Sequence, residues 1–185
     1  MADFDTRDSA PGSHVFSLTQ IRHLMRVEFG RAQRYEYPVS CIVVACDRID
    51  HLRDIYGYAL KETVVEDVVE LLRGTTRNCD YLGRLLDDRL MAILPHTDKD
   101  GALRATARLL KAARQLSFEA GGNPIRVTLS IGLATYEDGN TMFFDSLVQA
   151  AEKAHAEASR EGGDRVLVRA PGPVAQPHIE GPAGS

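Results

Sequence analysis

Residues 39–46, VSCIVVAC, limit the possible folds more than any other stretch. Val39, Ile42, Val43 and Val44 are β-branched, and only Ser40 interrupts the apolar run. The run lacks the apolar–polar alternation of a strand with one wet face. It is therefore expected to be a central strand covered on both faces. Such a strand needs helices packed above and below it, and the flanking sequence supplies them. Residues 17–35 place Leu18, Ile21, Met25 and Phe29 at helical spacing, with Ser17 as N-cap and Pro38 as the stop. Residues 47–57 predict a short helix ended by Gly57. Residues 60–77 set Val64, Val65, Val68, Leu71 and Leu72 on one face, so the period is helical in spite of the valines. Residues 99–116 form an amphipathic pattern, and 142–162 another, ended by Gly162 and Gly163.

The remaining apolar segments are short. DYLGRLL and RLMAILP, on either side of Asp87 and Asp88, predict a β-hairpin. Residues 125–135 alternate like a strand, and 164–169 form a last one. One antiparallel hairpin inside an alternating chain points to an α/β (α+β) fold, a mixed sheet flanked by helices.

The 185 residues are 44% hydrophobic, enough for one domain with a core, expected over 15–169. Residues 1–14 and 170–185 (APGPVAQPHIEGPAGS) are expected to be flexible tails. A net charge of −4 argues against a general nucleic-acid binder, although a local arginine cluster can hold a small anion. Cys41 and Cys46 lie in the apolar run and are expected to be buried core thiols, while the three cysteines show no metal-like spacing. The histidines are scattered, and no Ser/His/Asp arrangement is legible. No metal and no cofactor is expected. With neither a signal peptide nor a bilayer-length apolar run, the expected setting is cytoplasmic, away from membranes.

The element order and several motifs resemble the GGDEF family of diguanylate cyclases. The resemblance rests on SLTQI (17–21), Tyr56-Gly57-Tyr58, RNCDYLGRLLDDRLMAILPHT (77–97), VTLSIGLAT (127–135) and AEKAHAEASREGGDRV (151–166), and it covers roughly residues 16–168. It implies a palm-like sheet of the nucleotidyl-cyclase kind, with the hairpin carrying the signature. It also implies synthesis of cyclic di-GMP from two GTP molecules on two carboxylate-held metal ions. Carried across, the signature falls on Leu86, Asp87, Asp88, Arg89 and Leu90, so both glycines are replaced. A side chain at those positions is expected to fill the nucleotide cleft and to strain a turn needing positive φ. The first-strand metal aspartate falls on Ala45, with Asp47 at the second acidic position. The guanine-reading pair falls on Arg53 and Glu62, and the phosphate-gripping Lys and Arg positions fall on Ser159 and Gly163. From these departures the expectation is a degenerate signature and no enzymatic activity, with Asp87 and Asp88 as solvated acids at the hairpin tip.

The resemblance also supplies a product-binding motif, R-x-x-D, which falls on Arg77 and Asp80. A guanidinium fork suits phosphate or the O6/N7 edge of guanine, and the aspartate accepts from the guanine N1–H and amino group. Arg108 falls on the family's partner arginine, and Arg104 lies one turn earlier on the same face. The expected function is a cyclic di-GMP receptor using Arg77, Asp80, Arg108 and Arg104, bridging the hairpin region to helix 99–116. Such bridging would act through a protein partner or a homodimer. No sensor or output domain is evident, so regulation is expected through ligand or assembly. Two alternatives stay open: a nucleotide-independent interaction scaffold, and a residual cyclase using Asp47, Asp88 and Glu62.

Overall fold

The computed structural model describes residues 15–172; the expected tails, 1–14 and most of 170–185, lie outside the described residues. In chain order the elements are β1 (Val15–Phe16), α1 (Leu18–Tyr35), β2 (Val39–Cys46), α2 (Ile49–Tyr56), α3 (Tyr58–Thr75), β3 (Tyr81–Arg84) and β4 (Leu90–Pro95). They continue with α4 (Lys99–Ala113), β5 (Ser117–Ala120), β6 (Asn123–Arg126), β7 (Leu129–Tyr136), α5 (Phe144–Arg160) and β8 (Arg165–Val168).

Six strands form one mixed sheet in the order β1-β3-β4-β2-β7-β8. The apolar run of 39–46 is central, antiparallel to β4 on one side and to β7 on the other. Its alternate side chains feed two cores, as a strand period of two requires. Ile42, Val44 and Cys46 pack with Val64, Val68 and Leu72 of α3 and Ala102 and Leu109 of α4. Val39, Cys41 and Val43 pack with Ile21, Met25 and Phe29 of α1 and Leu147 and Ala151 of α5. The sheet is thus sandwiched between two helical layers. Each fully buried Ile, Leu or Met contributes about 1.5–3 kcal/mol.

The helix ends follow their local chemistry. Ser17 caps α1 in a reciprocal box with Gln20. Asp98 caps α4 by accepting from the Gly101 N–H at 2.7 Å. Helix α5 lies backbone-close on β7 at Gly132, where a Cβ would collide with the Ala151 carbonyl and the His155 amide. Cys41 and Cys46 are buried as expected, and burial raises both thiol pKa values, that of Cys46 to about 12.

Three expectations are corrected. The single strand 125–135 is two, because β6 turns away to pair with β5 in a separate ribbon before β7 joins the main sheet. The helix expected over 60–77 stops at Thr75, so Arg77 lies beyond it in a turn. The tip of the β3–β4 hairpin is not strained at the leucines. The only residue there with positive φ is Asp88 (φ 60), an aspartate that tolerates this region, and the Leu85 N–H donates to the Arg89 carbonyl at 2.7 Å to close the loop.

Candidate functional site

The α3–β3 connection and helix α4 build a small cleft on one face of the sheet. Helix α3 ends at its C-cap Thr76, whose N–H makes the last helical bond to the Leu72 carbonyl at 2.9 Å, and the Thr75 and Thr76 hydroxyls donate back to the Leu71 and Leu72 carbonyls as second donors. The chain then forms a tight turn. The Asp80 N–H donates to the Arg77 carbonyl at 3.0 Å, and the Arg77 N–H donates to Asp80 Oδ2 at 2.6 Å. This reciprocal pair fixes the Arg77–Asp80 spacing before β3 begins.

Helix α4 supplies the opposite wall. Gly101, Arg104, Ala105 and Arg108 recur at helical spacing and line the cleft together with Arg77 and Asp80. Ile42, Leu94 and Thr97 close its floor, and its free volume is about 120 Å³. The four residues assigned from sequence to dinucleotide binding, Arg77, Asp80, Arg104 and Arg108, therefore share one cleft. Helix α4, which carries Arg104 and Arg108, and helix α3, which leads into the Arg77–Asp80 turn, are anchored in the same core as β2.

The electrostatics of this cleft are unbalanced. The side chains of Arg77, Arg104 and Arg108 make no ion pair or hydrogen bond among the described residues. Asp80 is half-buried, and among the described residues its Oδ1 accepts only from the Cys79 thiol, at 3.9 Å. Burial pushes its carboxyl pKa above the usual value, although the Arg77 amide and charge pull the other way. Three cations and one acceptor face a shared space.

The hairpin is organised differently. Asp88 is clipped to helix α3 by Lys61 and to β3 by Arg84 at 2.5 Å, and Arg84 also reaches Glu62 at 3.4 Å. Burial raises the Asp88 pKa, but hydrogen bonds from Arg84 and Lys61 outweigh it and hold the carboxyl below its ordinary value. Asp87 pairs with Arg89 at 2.7 Å. The expectation of two solvated acids is corrected for Asp88, which two cations clamp and which is 22% exposed; Asp87, 58% exposed, is solvated as expected, though paired with Arg89. Leu90 is buried in the core, whereas Leu86 is 90% exposed and fills no cleft. Sequence reasoning missed Lys61 and Arg84, although a lysine set on the buried face of α3 was the available signal.

Asp47 ties three elements together. It accepts from Thr128 Oγ1 at 2.7 Å, Ser130 Oγ at 2.5 Å and the Asp164 N–H at 2.9 Å. Gly163, at φ 76, passes so close that a Cβ would strike this carboxylate. Arg53 is held by Asp50 and Asp54, both at 2.9 Å, and lies over the Tyr58 ring. The metal pair implied by the resemblance needs free carboxylate oxygens here. Asp47 is filled by hydroxyl and amide donors, Asp88 faces two cations, and Ala45 offers no ligand atom. As arranged, these residues do not fit a two-metal centre, and no step is derived through one.

Comparison with known proteins places this geometry in a family. The model of the family described as "Diguanylate cyclase, GGDEF domain" matches residues 14–165. Diguanylate cyclase A of Treponema denticola is 27% identical over 160 residues, 84% of this chain and 41% of that protein. The solved GGDEF domain of DgcB from Caulobacter crescentus, in complex with c-di-GMP, superposes with a TM-score of 0.79 at 14% identity, covering 91% of this chain and 98% of that one. Diguanylate cyclase SiaD of Pseudomonas aeruginosa, solved with its activator SiaC, gives 0.77 at 22% identity over 89% of this chain and 62% of that one. These two likenesses carry the fold. The chain spans less than half the length of the curated relatives it matches.

The expectation of no enzymatic activity is overturned by this comparison, because the relatives are named diguanylate cyclases and point to an enzyme. Two of its physical premises also fail in the fold. The residues replacing the signature glycines lie outside the positive-φ region, and the Leu86 side chain leaves the cleft for solvent. The palm-like mixed sheet, its hairpin and the family match over residues 14–165 agree: this chain belongs to the GGDEF domain family.

Proposed function

We propose that this GGDEF domain binds cyclic di-GMP at the Arg77–Asp80 turn, with Arg104 and Arg108 of α4 completing the site. The observation that carries the reading is the convergence of three side-chain-unpaired arginines and one half-buried carboxylate on one cleft. A dianionic dinucleotide matches that set. Its phosphates take guanidinium forks, and a guanine edge donates to Asp80. The ligand of the DgcB complex has this chemistry.

Binding would couple the end of α3 to α4 and so present an altered surface to a protein partner or a second copy of the chain. The complex of SiaD with SiaC supports a protein partner as the form of control. Calorimetric titration with cyclic di-GMP tests the site: wild type binds at about micromolar affinity or tighter, and Arg77→Ala binds at least about tenfold more weakly. Absence of heat with wild-type protein overturns the reading.

The family match favours a second reading, that the domain also forms the dinucleotide, as the names of its relatives imply. Incubation with GTP and magnesium, followed by chromatography of the nucleotides, should then yield cyclic di-GMP; GTP recovered unchanged counts against it. Binding and synthesis are separable, because the arginine cleft and the hairpin use different residues.

A further inference from the structure

The Arg77–Asp80 turn has a second side. Behind it, at the sheet edge where β1 pairs with β3, lies another cleft of about 280 Å³. Thr76, Arg77 and Asp80 line both this cleft and the one facing α4. The outer cleft adds Asn78 and two aromatic rings, Phe16 and Tyr81, whose centroids lie 6.4 Å apart at 54°.

Its chemistry is that of a base site. Aromatic rings give a planar heterocycle a stacking surface. Asn78 offers both donors and an acceptor to a base edge, and Arg77 supplies positive charge at the common wall. Ligand pockets of ordinary size run from about 300 Å³ upward. Neither the inner cleft of about 120 Å³ nor the outer one of about 280 Å³ reaches that size alone. Joined over the turn, they do.

We infer that the outer cleft is a second subsite for a purine-type base, so that one cyclic dinucleotide straddles the Arg77–Asp80 turn with a base on each side. The inference rests on the dinucleotide reading above and extends it to a part of the surface that α4 does not reach. Tyr81 is already positioned for such a role: its hydroxyl is held by Glu28 at 3.3 Å, which fixes the ring at the rim. A mononucleotide would fill one side only and gain half of the contacts.

Cys79 provides a direct probe. Its thiol is exposed and lines only the outer of the two clefts, while Cys41 and Cys46 are buried. In the native protein, alkylation by iodoacetamide read by mass spectrometry therefore reports on Cys79. Saturating cyclic di-GMP should slow its alkylation at least about tenfold, and GMP at the same concentration should slow it far less. Asn78→Ala, at an exposed turn position, should weaken cyclic di-GMP binding about tenfold, one lost hydrogen-bonding partner. Phe16→Leu keeps the apolar packing, removes the ring face and should weaken binding with unchanged thermal stability. If calorimetry shows binding but Cys79 alkylates at the ligand-free rate and Asn78→Ala binds like wild type, the outer subsite is overturned and the inner site stands. If wild type shows no binding, the dinucleotide reading itself falls.

Discussion

Arg77 and Asp80 are held by one pair of hydrogen bonds across a turn, and that pair leaves the guanidinium free and the carboxylate half-shielded. Removing the guanidinium should weaken cyclic di-GMP binding about 10–100-fold, the scale of a charge-assisted hydrogen bond. Asp80 gives the binding a pH signature. Burial raises its carboxyl pKa from the usual aspartate value in the free protein, and the base needs the ionised form as acceptor. Affinity should therefore fall on acidification at a higher pH than an unperturbed aspartate would give, and Asp80→Asn should be weak at every pH. Calorimetry across a pH series checks both.

Asp88 carries the opposite sign. Its folded pKa is lowered, so its contribution to stability is complete above the ordinary aspartate value and lost as pH falls through the lowered one. Lys61→Met removes one of its two cations, so the Asp88 pKa is lowered less; thermal stability should be lower at neutral pH, and the part of it lost on acidification should be smaller than in wild type. At Leu86, which is 90% exposed, replacement by Asn should change stability by no more than about 0.5 kcal/mol.

At the scale of elements, the central strand was legible because a continuous β-branched run has few other uses. Helices α1, α4 and α5 were legible from their period and from Ser17, Pro38 and Gly162. The boundary at residue 125 was not legible. The IRVTLSIGLAT segment alternates throughout, and only the pairing of Ile125 with Phe118 and of Leu129 with Cys46 separates its two halves. The end of α3 was misjudged because no glycine or proline marks it: the chain leaves the helix at Thr76, whose backbone is extended at φ −93, ψ 159. The turn at the signature was misjudged because the left-handed residue had moved to Asp88, which the glycine pattern does not reveal. The contact between β7 and α5 yields a sharp prediction. Gly132→Ala sets a methyl group against the α5 backbone, which cannot yield as a side-chain end does. It should destabilise by about 3 kcal/mol or more, seen as a lower midpoint in urea unfolding. An unchanged midpoint would show that α5 moves away at little cost.

Over the whole molecule, the sandwich brings together residues that the sequence could only align. Arg77 and Arg108 are thirty-odd positions apart, and it is the shared packing of α3 and α4 on β2 and β4 that sets them on one cleft. The resemblance to the family made the four residues legible as candidates. It did not show the outer cleft, because that depends on the pairing of Phe16 beside β3. Nor did it show that the hairpin acids are ion-paired, since Lys61 comes from another element. The three arginines are exposed at the rim, so dinucleotide binding should weaken steeply as ionic strength rises.

The most direct measurement is a calorimetric titration of cyclic di-GMP into wild-type protein and into Arg77→Ala and Arg108→Ala. Saturable binding by wild type, weakened at least about tenfold in each variant, is the predicted result. No binding by wild type, or equal affinity in all three, would contradict the proposed site.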